Sequence, residues 1–328
     1  YARWGVQHVG LTADDRVASH APLHFDLSIF DFFSTAQVGA TVVLVPEPVV
    51  KLAASWTEHI EKQRISVIFT VPFTLIQMLE HGAMEQRDLS SLRWVLFGGE
   101  PFPPKHLRAL LEKLPDARFT NVYGPAEAPS CTCYDVPPLP QAFEEPVPIG
   151  KVSVNSVDLI VDNNDRVCGI DEEGELCIRS STLTRGYWNR PELNESVYLL
   201  RENHGAFPDV YFRTGDWVVR ESDGLLRFLG RKDRMVKTRG HRVELDEVEA
   251  ALASHGAVSE AAAFAVPDDQ GSKRILAAVM LRGIDDANPG AMLTHLRSKL
   301  PAYALPQDVF VVDEFPRTSS GKIDRRMI

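Results

Sequence analysis

Between Phe25 and Gly124 the chain alternates short apolar, β-rich runs with amphipathic stretches: ATVVLVP, WTEHIEKQ, SVIFTVP, TLIQMLEHG, LRWVLFGG, KHLRALLEKL and RFTNVYG. Strand then helix, repeated, predicts a largely parallel sheet covered by helices, because each pair of parallel strands needs a crossover long enough to hold one. Sheets of this kind bind ligands beyond the carboxyl ends of their strands. The loops VPFT, GGEPFPP and YGPAEAPS follow three of these strands, so a site is expected there.

From about Pro146 the texture changes. Strand-like runs separated by turn residues, as in DLIVDNNDRVCGIDEEGELCIRS, predict an antiparallel, barrel-like β section. A charged stretch, GRKDRMVKTRGHRVE, starts at Gly230. After it a helix, two strands, a second helix and a last strand predict a compact α+β unit of roughly ninety residues. The fold class is therefore α/β, with a large region over 1–232 and a small C-terminal one over 233–328. No internal repeat or low-complexity segment interrupts either.

Composition narrows the partners. Acidic residues outnumber basic ones 45 to 35, a formal net charge of −10, which argues against a non-specific grip on nucleic acid or an anionic membrane. No apolar run approaches the ~18 residues of a membrane span; TVVLVP and RWVLFGG stop after a strand's length. Cys131, Cys133, Cys168 and Cys177 lack CxxC spacing and read as reduced thiols of a cytoplasmic protein rather than a zinc site. The opening YARWGVQHVG has neither Met nor a signal-peptide profile and reads as the interior of something longer.

The far end poses its own problem, because PRTSSGKIDRR hangs Lys322 on a Ser-Ser-Gly turn. A P-loop is ruled out: that motif needs a glycine where Pro316 stands and a hydroxyl residue where Ile323 stands. Taken alone, Lys322 reads as a solvated terminal lysine.

Seven segments in order change that reading: HFDLSIFDFF, NVYGPAE, GEL followed by RGYWNRPE, YFRTGDW, GRKDRMVKTRGHRVELDEVE, LPAYALP and RTSSGKIDRR. Together they resemble the adenylate-forming superfamily, specifically the amino-acid adenylation domains of nonribosomal peptide synthesis, over essentially the whole chain. The resemblance implies ATP-dependent activation of a carboxylate with Mg²⁺. A carboxylate attacking the α-phosphate brings like charges together, which fixed donors, a metal and a mobile cation must offset.

By that resemblance Tyr123 is the adenine-stacking aromatic, with Asn121, Gly98, Gly99 and Gly124 around the base. On its own it reads equally as a core aromatic at a strand end. Glu127 is implied as the Mg²⁺ carboxylate, although a loop Glu by itself is usually just solvated. Asp216 and Arg231 are implied as the ribose-fixing pair, with a surface ion pair as the plain alternative for Arg231. Asp233 is implied as the hinge, and Gly240 as the place that leaves room for a carrier's phosphopantetheine arm. Lys322 is implied as the catalytic lysine that bridges the acid and the nucleotide. Ala126 departs from the family, where a hydroxyl residue commonly stands; one lost hydrogen bond is expected, worth roughly 1.5–3 kcal/mol.

For the substrate, the resemblance implies that Asp26 pairs with an ammonium group, while its local alternative is to cap the helix that follows. Leu27, Phe30, Thr70, Leu96, Gly98, Val122, Ser130 and Cys131 are implied as the pocket lining. None of these lining residues is charged, so a neutral, small to medium amino acid is expected, delivered to a separate carrier protein by a free-standing enzyme. Two rivals stand beside this: an acyl- or aryl-CoA ligase, for which Asp26 is the discriminator, and a non-catalytic carrier-binding chain. The second draws on the family's Ser/Thr/Gly-rich phosphate loop, which is not among these residues. These 328 residues alone are accordingly expected to adenylate poorly.

Overall fold

The computed structural model describes residues 1–202, 204–232, 234–268, 272–282, 289–317, 323–324 and 327–328. The chain falls into two compact units, Tyr1–Lys232 and Asp233–Ile328.

The large unit is built on seven strands: β1 (Arg16–Ser19), β2 (Thr41–Leu44), β3 (Val67–Thr70), β4 (Trp94–Gly98), β5 (Arg118–Tyr123), β6 (Thr132–Asp135) and β7 (Lys151–Val152). Their order is β2-β1-β3-β4-β5-β6-β7. The first five pair in parallel, and β6 and β7 close one edge antiparallel. Every residue of β3 and β4 is buried, which is why these strands read as unbroken apolar runs rather than alternating ones.

Helices Ala53–Gln63, Pro72–His81 and Pro104–Lys113 cover one face. Trp56, Ile60, Leu75, Leu107 and Leu110 join Ile68, Val95 and Phe97 there in one core, each full burial contributing about 1.5–3 kcal/mol. Helix Ala2–Val9 and the helical stretch 27–38 cover the other face, where Trp4, Val9 and Phe30 meet Val17, Val67, Phe69 and Leu96. That stretch is not a plain α-helix. Its middle turn, Phe30–Ser34, is a π-helix, a widening that recurs at functional sites.

A second, curled sheet carries β8 (Ser156–Val161), β9 (Glu173–Ser180), β10 (Tyr198–Arg201), β11 (Asp209–Arg220) and β12 (Leu226–Arg231), all antiparallel. Against β9, β11 shifts register between Arg213 and Trp217. Such a bulge re-aims the side chains inside it, and Asp216 is one of them.

In the small unit, β13 (Met235–Thr238) and β14 (His241–Glu244) form a hairpin. Helix Leu245–Ala253, β15 (Val258–Pro267), β16 (Lys273–Leu281), helix Pro289–Arg297 and β17 (Asp308–Val311) follow. The sheet order is β15-β16-β17, with Val248, Leu252, Ile275, Val279, Met292 and Leu296 in its core.

Candidate functional site

Of the expected pocket residues, Leu27, Phe30, Leu96 and Val122 share one apolar cluster on the face of the π-helical turn. Phe30 is fully buried and meets Phe69 edge-on at 5.7 Å. Leu96 and Val122 share its cluster, and half-buried Leu27 packs against it. Asp26 occupies the N-cap position of the helix, yet its side chain makes no capping hydrogen bond and stays half-buried. The capping alternative therefore does not account for it. Cys131 belongs to a different cluster, with Tyr123, Ala128, Ile149 and Leu176. Ser130, next to it, adopts a left-handed φ of 51° and accepts a 2.8 Å bond from the Ser153 hydroxyl.

Thr70, at the end of β3, is buried and lies 2.7 Å from His20 Nε2. Sequence reasoning gave His20 no role, although it follows β1 directly. Burial pushes its imidazole down to about 4, so it is a neutral hydrogen-bonding group at physiological pH, stacked on Trp56 at 5.5 Å.

The other half of the site joins the two sheets. Tyr123, buried at the end of β5, donates its hydroxyl to Asp216 Oδ2 at 2.5 Å. Asp216 is fully buried; its Oδ1 accepts from Arg231 Nη1 at 2.9 Å, and that guanidinium also holds the Thr214 carbonyl at 2.8 Å. Arg231 is thus no surface ion pair. Burial, then the Asp216 charge, drives the Tyr123 phenol far above its usual range, which keeps it a donor. A carboxylate has about four acceptor directions, and Tyr123 and Arg231 each take one of them. Asn121 donates to the Pro148 carbonyl at 2.9 Å, while Gly98 ends β4, Gly99 follows it, and Gly124 follows β5.

Glu127 lies in the loop after β5. The Tyr187 phenol donates to its carboxylate, and its main-chain oxygen accepts from Thr184 N at 2.9 Å. Tyr187 comes from the segment RGYWNRPE, and only the fold shows what it reaches. Among the described residues no three His, Cys, Asp or Glu side chains gather to hold a metal. A lone half-buried carboxylate fits an ion such as Mg²⁺, which keeps waters and takes most of its oxygens from phosphates.

In the small unit, Arg239 and Gly240 join β13 to β14 with φ of 50° and 82°. Two left-handed residues make a type I′ turn, and this supplies a reason for glycine at 240 independent of any partner. Asp233 and Lys322 lie outside the described residues. No described helix is long and apolar enough to cross a membrane.

The chain is 36% identical over 326 residues to an L-proline–[L-prolyl-carrier protein] ligase of Pseudomonas fluorescens, covering 99% of this chain and 62% of the relative. A Streptomyces coelicolor protein of the same name is also 36% identical, covering 100% of this chain and 60% of its own length. The chain thus spans about three fifths of these curated relatives. The solved structure of IdnL1 superposes with a TM-score of 0.85 at 30% identity, over 96% of this chain and 64% of that one. The profile of the AMP-binding enzyme C-terminal domain matches residues 247–322. With the AMP-binding enzyme profile matching residues 1–188 as well, the chain belongs to the AMP-binding enzyme family.

Proposed function

We propose that this protein activates a neutral, small to medium amino acid as its aminoacyl-AMP and then loads it onto a carrier protein. In the first step a carboxylate oxygen of the substrate attacks the α-phosphorus of ATP. The bond to the bridging oxygen breaks, and pyrophosphate leaves with the electron pair. In the second step a phosphopantetheine thiolate attacks the activated carbonyl and AMP leaves. Similarity to two prolyl-carrier ligases over nearly the whole chain supports this reaction class and puts proline among the first substrates to try.

One observation carries the amine reading. Asp26 is a half-buried carboxylate at a helix start that it does not cap, beside the apolar cluster of Leu27, Phe30, Leu96 and Val122. A carboxylate there fits an ammonium group, with the substrate's side chain on the apolar wall. Asp216 and Arg231 would take the ribose hydroxyls, and Tyr123 with Asn121, Gly98, Gly99 and Gly124 the adenine. Glu127, steadied by Tyr187, would hold Mg²⁺, which offsets phosphate charge when bound. Lys322 would bridge acid and nucleotide, Asp233 would be the hinge for the small unit, and Gly240 would face the carrier's arm. A cytoplasmic setting belongs to the same proposal, and the four cysteines are free thiols.

The test is pyrophosphate exchange by the full-length protein over a panel of α-, D- and β-amino acids. Asp26→Ala should raise KM for the preferred amino acid at least thirtyfold, since truncating one partner of a buried charge pair costs about 2–5 kcal/mol. Exchange only with acids that lack an amine would overturn the reading in favour of a CoA ligase.

A further inference from the structure

Tyr1 is absent from every segment that points to the site, yet it packs on the same cluster as Phe30, Leu96 and Val122. Helix Ala2–Val9 brings it there. The helix lies so close to the π-helical turn that a Cβ at Gly5 would stand 2.6 Å from Ser34 Oγ and 2.7 Å from a Phe30 ring carbon. Trp4 backs the Tyr1 ring at 5.9 Å, with 17° between the planes. The ring packs against this cluster beside Trp4 and remains half-buried.

Its hydroxyl stands in polar company. Burial raises the phenol most, the Ser130 side chain opposes that, and the charges of Asp26 and Asp31 add to it. Asp26, just before the helical stretch 27–38, and Asp31 within it are thus near enough to act on the phenol through their charge, and Ser130 approaches it from the loop after β5. Asp31 itself is fully buried, and neither of its oxygens has a hydrogen-bond partner among the described residues.

We propose that Tyr1 is a specificity-determining residue: its ring closes the substrate pocket from the side of helix Ala2–Val9 and limits the length of side chain admitted. This rests on reading the site as an amino-acid pocket. It assigns a limit that none of the lining residues named from sequence supplies, because shortening this one ring opens space against the cluster of Trp4, Phe30, Leu96 and Val122 while leaving Asp26 itself unchanged. Long apolar side chains are excluded by the ring, and short ones leave it in place.

The experiment compares full-length parent, Tyr1→Ala, Tyr1→Leu and Tyr1→Phe in pyrophosphate exchange over neutral amino acids of increasing side-chain length. Tyr1→Ala is expected to shift kcat/KM at least tenfold toward the longer substrates, relative to the parent's preferred one. Tyr1→Leu should shift it in the same direction by less, and Tyr1→Phe should keep the parent's ranking by size. If Tyr1→Ala does not fold, Tyr1→Leu decides alone. A uniform fall across all substrates, or an unchanged ranking, shows that Tyr1 only packs and overturns the inference. A parent without exchange on any amino acid removes the reading beneath it instead, and the two failures are told apart by the parent alone.

Discussion

Two buried aspartates of the large unit sit at opposite edges of the same parallel sheet and are treated in opposite ways. Asp15 stands at the amino edge, just before β1, and its carboxylate is fully engaged. Arg93 grips it with two bonds of 2.7 Å, Thr12 N donates at 2.9 Å and the Ser66 hydroxyl at 2.8 Å. Burial alone would raise this carboxyl, but the bonds from Arg93, Thr12 and Ser66, with the Arg93 charge, hold it at about 2. Asp31 lies at the carboxyl edge with both oxygens unpartnered among the described residues. There burial drives the carboxyl well above its ordinary value; the nearby Ser19 hydroxyl opposes this without forming a bond of normal geometry. The amino edge is a closed clamp over the starts of β1, β3 and β4, while the carboxyl edge keeps polar groups unspent where a ligand is expected.

Breaking the clamp should have the largest effect. Asp15→Ala leaves the half-exposed Arg93 without its carboxylate and is expected to cost about 2–4 kcal/mol in urea unfolding. The pH dependence sharpens the same point. A carboxyl lowered in the folded state stabilises above about pH 4, and that contribution, about 2 kcal/mol, is lost as the pH falls toward about 2. Acid unfolding of Asp15→Asn should lack that part of the transition.

Asp31→Asn should act with the opposite sign. Because the folded carboxyl is raised, its contribution is present below about pH 4 and is lost as the pH rises from there toward the folded value. Removing the charge is therefore expected to stabilise the protein by about 1–3 kcal/mol at neutral pH and by almost nothing near pH 4. Equal melting temperatures for parent and variant across that range would show that the carboxyl is paired after all, and the contrast between the edges would disappear.

This contrast also marks what the sequence could carry. The strands from Val67 to Tyr123 are legible because burial on both faces demands unbroken apolar runs, and the crossover helices because their amphipathic stretches lie between them. Asp216 and Arg231 are legible as types in short segments, but their pairing is set by β11 lying beside β12. The Asp15 clamp is invisible by contrast. Asp15, Ser66 and Arg93 sit in unremarkable surroundings along the chain, and only the parallel register that aligns three strand starts brings them together. The π-helical turn at Phe30–Ser34 leaves no local signature either, since its residues would suit an α-helix equally. Tyr187 and Tyr1 are missed for the same reason: each reaches its partners through tertiary packing, not through spacing.

The smallest predicted effects come from two serines that repeat the comparison without charge. The Ser66 hydroxyl donates to Asp15 and accepts from Arg16 N at 2.9 Å. Ser66→Ala should therefore cost about 1 kcal/mol, the net worth of a lost bond plus an amide left without its acceptor. Ser34 is equally able to bond but is fully buried, and its hydroxyl has no partner among the described residues. Its desolvation is already spent in the folded state, so Ser34→Ala removes a liability and leaves only a small void beside Gly5. A gain of under about 1 kcal/mol is expected, read as a slightly higher urea midpoint with an unchanged slope. If Ser34→Ala instead destabilised as much as Ser66→Ala, the carboxyl edge would be as fully bonded as the amino edge, and Asp31 could no longer be read as a group held in reserve for the site.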